Sequence, residues 1–428
     1  MTVNENTRIA TSPVTPRAER GPAVPAAAPR PGRAWLRAAV PVVAIGWGAQ
    51  QFTPLLLLYQ ARLHLSATTV QATFVPYVIG LIPGLMFGGP CSDRFGRRKV
   101  MLPTVVLSVL GTVLLIVGAN GLGFTLAGRL VSGMASGAGF SCGGAWIKEL
   151  SASSGDTDHG PRRLTVSMGI GFGLGPLVAG VLAQWAPDPT LIAYLPHLLI
   201  CAAAFACLLT VPETLTPSPG TSFLRNLRIH EVRERRFVTV VLPLAPWVFI
   251  AVAVAVGYLP GLVAHQISGD PLMFSALVVV ANAGAGIFVQ PLARRLHTPP
   301  TPRLLGWALA IVVGGMLVAA LAAWLHQPAL VLVASLVLGA GYGCCQFYGL
   351  TQVQQLASPE HLAGLTATYQ AVTYVGMMAS YPLAAIGSVV PAPAVLLGVA
   401  VLAALTLAWT TRAAAVRTTS PSGASLPA

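Results

Sequence analysis

Runs of about twenty apolar residues recur along this chain, separated by short polar breaks, and each run is long enough to cross a bilayer as a helix. "FVPYVIGLIPGLMF" and "PTVVLSVLGTVLLIV" are two of them, and between them stands "GGPCSDRFGRRKVML", Gly88 to Leu102. Over 428 residues the chain is 55% hydrophobic and only 9% charged, which is too little polar material to coat a soluble fold. The reading is an all-α membrane protein with twelve transmembrane helices. The spans are expected at 36–58, 70–95, 101–119, 122–147, 163–186, 190–211, 238–260, 271–294, 303–325, 329–353, 361–386 and 391–411. The six cysteines all lie in or beside apolar runs and read as packing thiols, with no clustered partners for a metal.

Arg and Lys fall on one side of these spans. They occupy the N-terminal tail, the 2–3, 4–5, 6–7 and 8–9 connections and the C-terminal tail, while the other side carries only Arg62. The positive-inside rule then puts both termini in the cytoplasm, and the net charge of +13 becomes a topology signal rather than a nucleic-acid face. Abundant Arg, Ala, Gly and Pro point to a GC-rich bacterium, hence its inner (plasma) membrane. The expected organisation is a disordered cytoplasmic tail (1–33), a six-helix bundle (34–211), a cytoplasmic linker (212–236), a second six-helix bundle (237–412) and a cytoplasmic tail (413–428). The linker reads either as an amphipathic helix on the anionic leaflet or as a solvated hinge.

The two halves repeat. Adding 201 carries Asp93-Arg94 onto Arg294-Arg295, Leu164-Thr165 onto Leu365-Thr366 and Gly175 onto Gly376. Two six-span units in the same orientation imply a pseudo-two-fold axis along the membrane normal.

Several motifs carry a resemblance. Gly89-x-x-x-Asp93-Arg94-x-Gly96-Arg97-Arg98 resembles the 2–3 loop signature of the major facilitator superfamily. "GRLVSGMASG" in the fourth span resembles that family's Arg-x-x-x-Gly element. Gly171-x-x-x-Gly175-Pro176-x-x-Ala179-Gly180 in the fifth is similar to the motif of its drug-antiporter branches, and "VPET" ends the sixth span as it often does there. Two features depart from the family: Arg294 replaces the acid of the second signature, and the first span has no carboxylate. The resemblance implies gating by Asp93, Arg94, Gly96, Arg97 and Glu149. In it, Asp93 faces the start of span eleven at "SPEHL", with Ser358 as N-cap and Pro359 after it, and the arginine of the Gly-Arg pair reaches Glu149. It implies a small-molecule substrate, protons as the coupled ion, alternating access of one half against the other, a monomer and no cofactor.

Arg129 is the one basic residue well inside a span. An intramembrane charge costs about 2.5–3.5 kcal/mol on insertion scales, so it should face protein or water. It reads either as a cavity residue for anionic or polar substrate groups or as a helix–helix staple. Gln50, Gln51, Asn282, Gln346, Tyr369, Gln370 and Tyr374 are polar candidates for the same cavity, and Trp47, Phe172 and Trp247 are aromatic ones. Adjacent Gln50 and Gln51 cannot both point inward. His197 reads as a packing histidine or as a titrating one. The glycines of span five fail the dinucleotide spacing at Leu174 and serve close packing or exchange-type transport. Ser141 in "GFSCG" lies in a membrane helix and is no hydrolase nucleophile. The function expected is efflux of amphipathic or drug-like compounds, with nutrient import or facilitation as the alternative. A non-transporting sensor or intramembrane enzyme is the farther rival, and it lacks a soluble domain or a clustered catalytic set.

Overall fold

Without water in the hydrocarbon, every backbone N–H and C=O must be satisfied within the chain, and the apolar runs accordingly fold as helices. The computed structural model describes residues 34–153, 159–215, 230–297, 303–358 and 361–415. The tails, most of the linker and Pro359 lie outside the described residues. Twelve spans run in order: α1 (Ala34–Arg62), α2 (Ala67–Phe95), α3 (Arg97–Gly118), α4 (Leu122–Ser153), α5 (Gly160–Trp185), α6 (Pro189–Thr210), α7 (Phe237–Gln266), α8 (Pro271–Leu296), α9 (Arg303–Leu325), α10 (Pro328–Leu356), α11 and α12 (Ala392–Ala415). Span α11 is Leu362–Val375, a 3-10 turn Gly376–Ala379, and Ser380–Gly387. Ten of the twelve are long and apolar enough to cross a membrane by composition alone. The other two are α4, rich in Gly and Ser around Arg129, and α11, rich in Thr and Tyr.

The first six helices pack on one another, as do the last six, and the two bundles meet along α2–α11 and α5–α8. The apolar windows of α1 and α7 are 78% and 67% buried, against 33% and 28% for α6 and α12. So α1 and α7 belong to the interior, while α6 and α12 turn Leu199, Leu209, Val401 and Leu405 outward.

Small residues set these contacts, since side-chain-free helix faces allow close backbone approach. Gly133 and Gly137 of α4 lie against the backbone carbonyls of Tyr77 and Leu81 in α2, and Gly339 and Gly343 of α10 repeat this against Asn282 and Gly286 in α8. Gly175 of α5 lies against Trp47 of α1, and its repeat partner Gly376 of α11 lies against Pro246 of α7. The offset of 201 read in the sequence carries Gly175 onto Gly376, and both glycines pack against the first helix of their own half.

One expectation changes. The charged 2–3 segment is not a loop: α2 continues to Phe95, Gly96 alone makes the turn at φ 103°, and α3 starts at Arg97. Only glycine adopts that φ without strain.

Candidate functional site

At the face where α1 begins and α12 ends, α2, α3, α4 and the end of α6 converge on Arg97. Its guanidinium pairs with Asp93 at 2.6 Å and with Glu149 through two bonds of 2.6 and 3.2 Å, and it donates to the Ser92 hydroxyl. The Arg97 side chain is 6% exposed and Asp93 52%. Paired N–H donors on a carboxylate combine strength with fixed geometry. Glu213 of "VPET" then accepts from the amides of Arg97 and Arg98 at 2.9 and 3.0 Å, capping α3 with a negative charge where the helix dipole favours one. The Thr214 hydroxyl donates to Glu149 at 2.5 Å. A Cβ on Gly96 would stand 2.8 Å from the Glu213 carboxylate, a second reason for glycine there. Arg94 is exposed and lies over the Phe95 ring.

The expected placement of Asp93 against the start of α11 is replaced by another acid. Glu231, from the short turn His230–Arg233, accepts from the Ser358 hydroxyl at 2.9 Å and amide at 3.4 Å and meets His361 at 2.9 Å. Its own backbone amide, then the His361 ring and Ser358, draw its carboxyl from 4.5 down to about 2. A depressed carboxylate stabilises its contacts fully above the unfolded value and loses them only as pH falls towards about 2, so this tie persists at neutral pH.

Midway through the bundle lies a cavity of about 50 Å³ between the halves. Its walls include Gln50, Phe74, Tyr77, Arg129 and Phe172 from one half and Phe249, Asn282, Tyr342 and Tyr374 from the other. Arg129 is 1% exposed. Its guanidinium lies 4.2 Å from the Tyr77 ring, 5.0 Å from Phe52 and 5.5 Å from Phe74, and Nε donates to the Thr73 carbonyl at 3.3 Å. Its Nη1 is buried without a hydrogen-bond partner. Phe249 and Tyr374 stack at 4.2 Å. Asn282 donates to the Ser335 carbonyl at 3.0 Å, and Gln50 accepts from Thr53 at 3.2 Å.

Five cavity expectations are corrected. Trp47 packs against Gly175, and Trp247 donates its indole N–H to Thr406 of α12 at 3.1 Å. Gln346 donates to Gln370 at 2.8 Å, a link between α10 and α11. None of the four, nor Tyr369, forms a wall of the cavity. On an interior helix every face is covered, so polarity or size does not say which face meets the void. Of the six rings that line it, Phe172 and Tyr374 are expected from the sequence, while Phe74, Tyr77, Phe249 and Tyr342 gave no sequence signal beyond their place in a span.

Gln51, adjacent to Gln50, points away and donates to Thr112, which in turn contacts His197 Nδ1 at 2.8 Å. His197 Nε2 meets the Ala44 carbonyl at 3.1 Å. A carbonyl only accepts, so Nε2 carries a proton, and the Thr112 hydroxyl, which can donate or accept, satisfies Nδ1. The residues of the span-five motif are closely packed. Gly171 approaches the Val43 carbonyl, Gly175 and Pro176 are buried, and Gly180 lies against Ala276 of α8.

The sequence profile of the Major Facilitator Superfamily matches residues 41–381. A bicyclomycin resistance protein homolog of Haemophilus influenzae is 27% identical over 139 residues, covering 32% of this chain and only 33% of that protein. A chloramphenicol resistance protein of Pseudomonas aeruginosa is 24% identical over 346 residues, 75% of this chain and 76% of that one. Among solved structures, a D-xylose-proton symporter superimposes with TM-score 0.67 at 18% identity, over 87% of this chain and 96% of the other. A nucleoside transporter does so with TM-score 0.69 at 11% identity, over 89% and 100%. At such identities the two structures speak for the fold alone. With the profile spanning both bundles, the chain belongs to the Major Facilitator Superfamily and is a secondary transporter of small molecules, not an enzyme.

Proposed function

We propose that this transporter exports amphipathic, ring-bearing compounds from a bacterial cell, driven by protons. The observation that carries the reading is the central cavity: six aromatic rings, one cation with a free N–H, two amides and no carboxylate. Rings favour flat apolar surface, and Arg129 favours an acceptor or anionic group on it. The lengthwise similarity to a chloramphenicol resistance protein supports efflux. At about 50 Å³ the cavity is filled by one or two waters at roughly 30 Å³ each. A substrate therefore enters only when the halves part, Asp93, Arg94, Gly96, Arg97 and Glu149 gating that movement at the face where α1 begins and α12 ends. Asp93, Glu149 and His197 are the protonatable groups that can carry the coupled proton. Import or facilitation of a small nutrient such as a sugar or organic acid is the second reading, supported by 28% identity over 95 residues with a glucose transporter of Staphylococcus epidermidis.

Inside-out vesicles separate these readings. Efflux driven by protons appears as accumulation of aromatic compounds that rises when an inward-acid gradient is imposed and collapses with a protonophore. Accumulation of none of the panel, or of sugars only, overturns the export reading.

The proposed orientation, with both termini in the cytoplasm, has its own check. In a Cys-less background, Asp188→Cys is expected to react with an impermeant maleimide on whole cells, and Glu231→Cys only after permeabilisation. External labelling at position 231 reverses the topology.

A further inference from the structure

A second, larger void lies between the halves at the face opposite the start of α1 and the end of α12. Its volume is about 270 Å³, more than five times that of the central cavity. Thr53, Gln60, Thr68 and Gln71 of the first half and Tyr258 and Ser275 of the second contribute polar groups, and no charged residue lines it. Its base is a bond between the halves: Gln71 Nε2 donates to the Gly257 carbonyl at 2.5 Å. Gly257 lies in the π-helical turn Ala253–Tyr258 of α7, just ahead of Pro260, where the regular helical pairing of carbonyls is interrupted.

That bond fixes the amide of Gln71. The atom facing a carbonyl must be the donor, so the other atom is the amide oxygen. Gln71 is 8% exposed, and this oxygen is buried without a partner. A buried acceptor left unpaired is an unmet demand for a donor.

We propose that this void is a binding site separate from the central cavity, for an uncharged small molecule that donates a hydrogen bond to Gln71 and carries apolar surface. A charged ligand would leave water with no countercharge to receive it. A hydroxyl or amide N–H satisfies Gln71, while Leu56, Leu57, Val70, Val256 and Leu262 cover the apolar part. The volume equals about nine waters at roughly 30 Å³ each, room for a compact ring-bearing polyol. Because the walls come from both halves, an occupant bridges them. The proposal does not depend on the substrate or direction proposed above.

The test uses phenyl β-D-glucopyranoside, neutral and rich in hydroxyl donors, with its fully O-methylated derivative as the donor-free control. Binding is measured by calorimetry on the full-length protein purified in detergent. Gly261 borders the void, and an added Cβ there meets nothing within 4 Å, so Gly261→Phe is the variant chosen to fill the site. Gln71→Met keeps the length and removes the acceptor. The wild type is expected to bind the glucoside at about 1 mM or tighter, and loss of one hydrogen bond in Gln71→Met to weaken it about tenfold. Gly261→Phe is expected to abolish binding and the methylated probe to fail. Absence of wild-type binding overturns the proposal. So does equal binding of the methylated probe, or binding that survives in Gly261→Phe.

Discussion

Arg97→Ala is expected to stop transport and to lower the thermal stability of the purified protein by several degrees, whereas Asp93→Asn is expected to stop transport at nearly wild-type stability. Arg97 is the hub: one buried guanidinium holds Asp93, Glu149 and Ser92 together. Removing one partner of a buried ion pair costs roughly 3–5 kcal/mol because the other charge is left uncompensated. The lower end applies here, since Glu149 is 30% and Asp93 52% exposed and water takes up part of the loss. Thr214 keeps its bond to Glu149, and the Glu213 cap on α3 uses backbone amides, so both survive the substitution. Asp93→Asn keeps the side-chain shape at an exposed site and surrenders only charge, so its stability cost is within about 1 kcal/mol. Transport and melting temperature measured on both variants separate a gate from a clamp. If Asp93→Asn transports at the wild-type rate, the gate does not include Asp93. If Arg97→Ala melts with the wild type, the cluster does not hold α2, α3 and α4 together.

What was legible in the sequence follows from what the physics makes local. Span limits depend on the length of an apolar run, and α9, expected at 303–325, is Arg303–Leu325, while α8 extends only two residues beyond its expected end. The helices that overshoot, α1 to Arg62 and α4 to Ser153, do so where polar residues continue a helix past the hydrocarbon. The bond from Arg97 to Glu149 was anticipated because a known motif fixes both positions. Glu213 was quoted for its motif but given no role, since its partners lie 116 and 115 residues away and are backbone amides, which leave no trace in composition. Glu231 was missed for a related reason: an acid among five arginines reads as one more charge in a linker until the fold brings Ser358 and His361 to it. Rotational phase is the harder limit. The choice of Gln50 over Gln51 for the cavity, and of Tyr77 over Trp47, is made by the angle at which each interior helix is seated, and glycine contacts with neighbouring helices set that angle.

Arg129→Ala is expected to weaken substrate binding by about ten- to a hundredfold, with a small change in melting temperature. The stability terms oppose one another. Three ring contacts contribute about 0.5–2 kcal/mol each, but placing a cation in the membrane costs about 2.5–3.5 kcal/mol on insertion scales, so deleting both nearly cancels. The binding term has no such offset. Nη1 is buried, borders the cavity and lacks a partner, so a substrate acceptor meets a donor that has nothing to give up. A hydrogen bond to a charged group is worth about 1.5–3 kcal/mol, which sets the fold-change. Arg129→Lys keeps the charge but loses the planar contact with Tyr77, and is expected to fall between. Calorimetry and thermal unfolding on the same preparations, with a transported compound from the vesicle panel, give both numbers. A helix staple would show the reverse pattern, a large drop in melting temperature with unchanged affinity in the surviving protein, and that result would remove Arg129 from the binding site and leave Tyr77, Tyr342 and the stacked pair of Phe249 and Tyr374 to select substrates by shape alone.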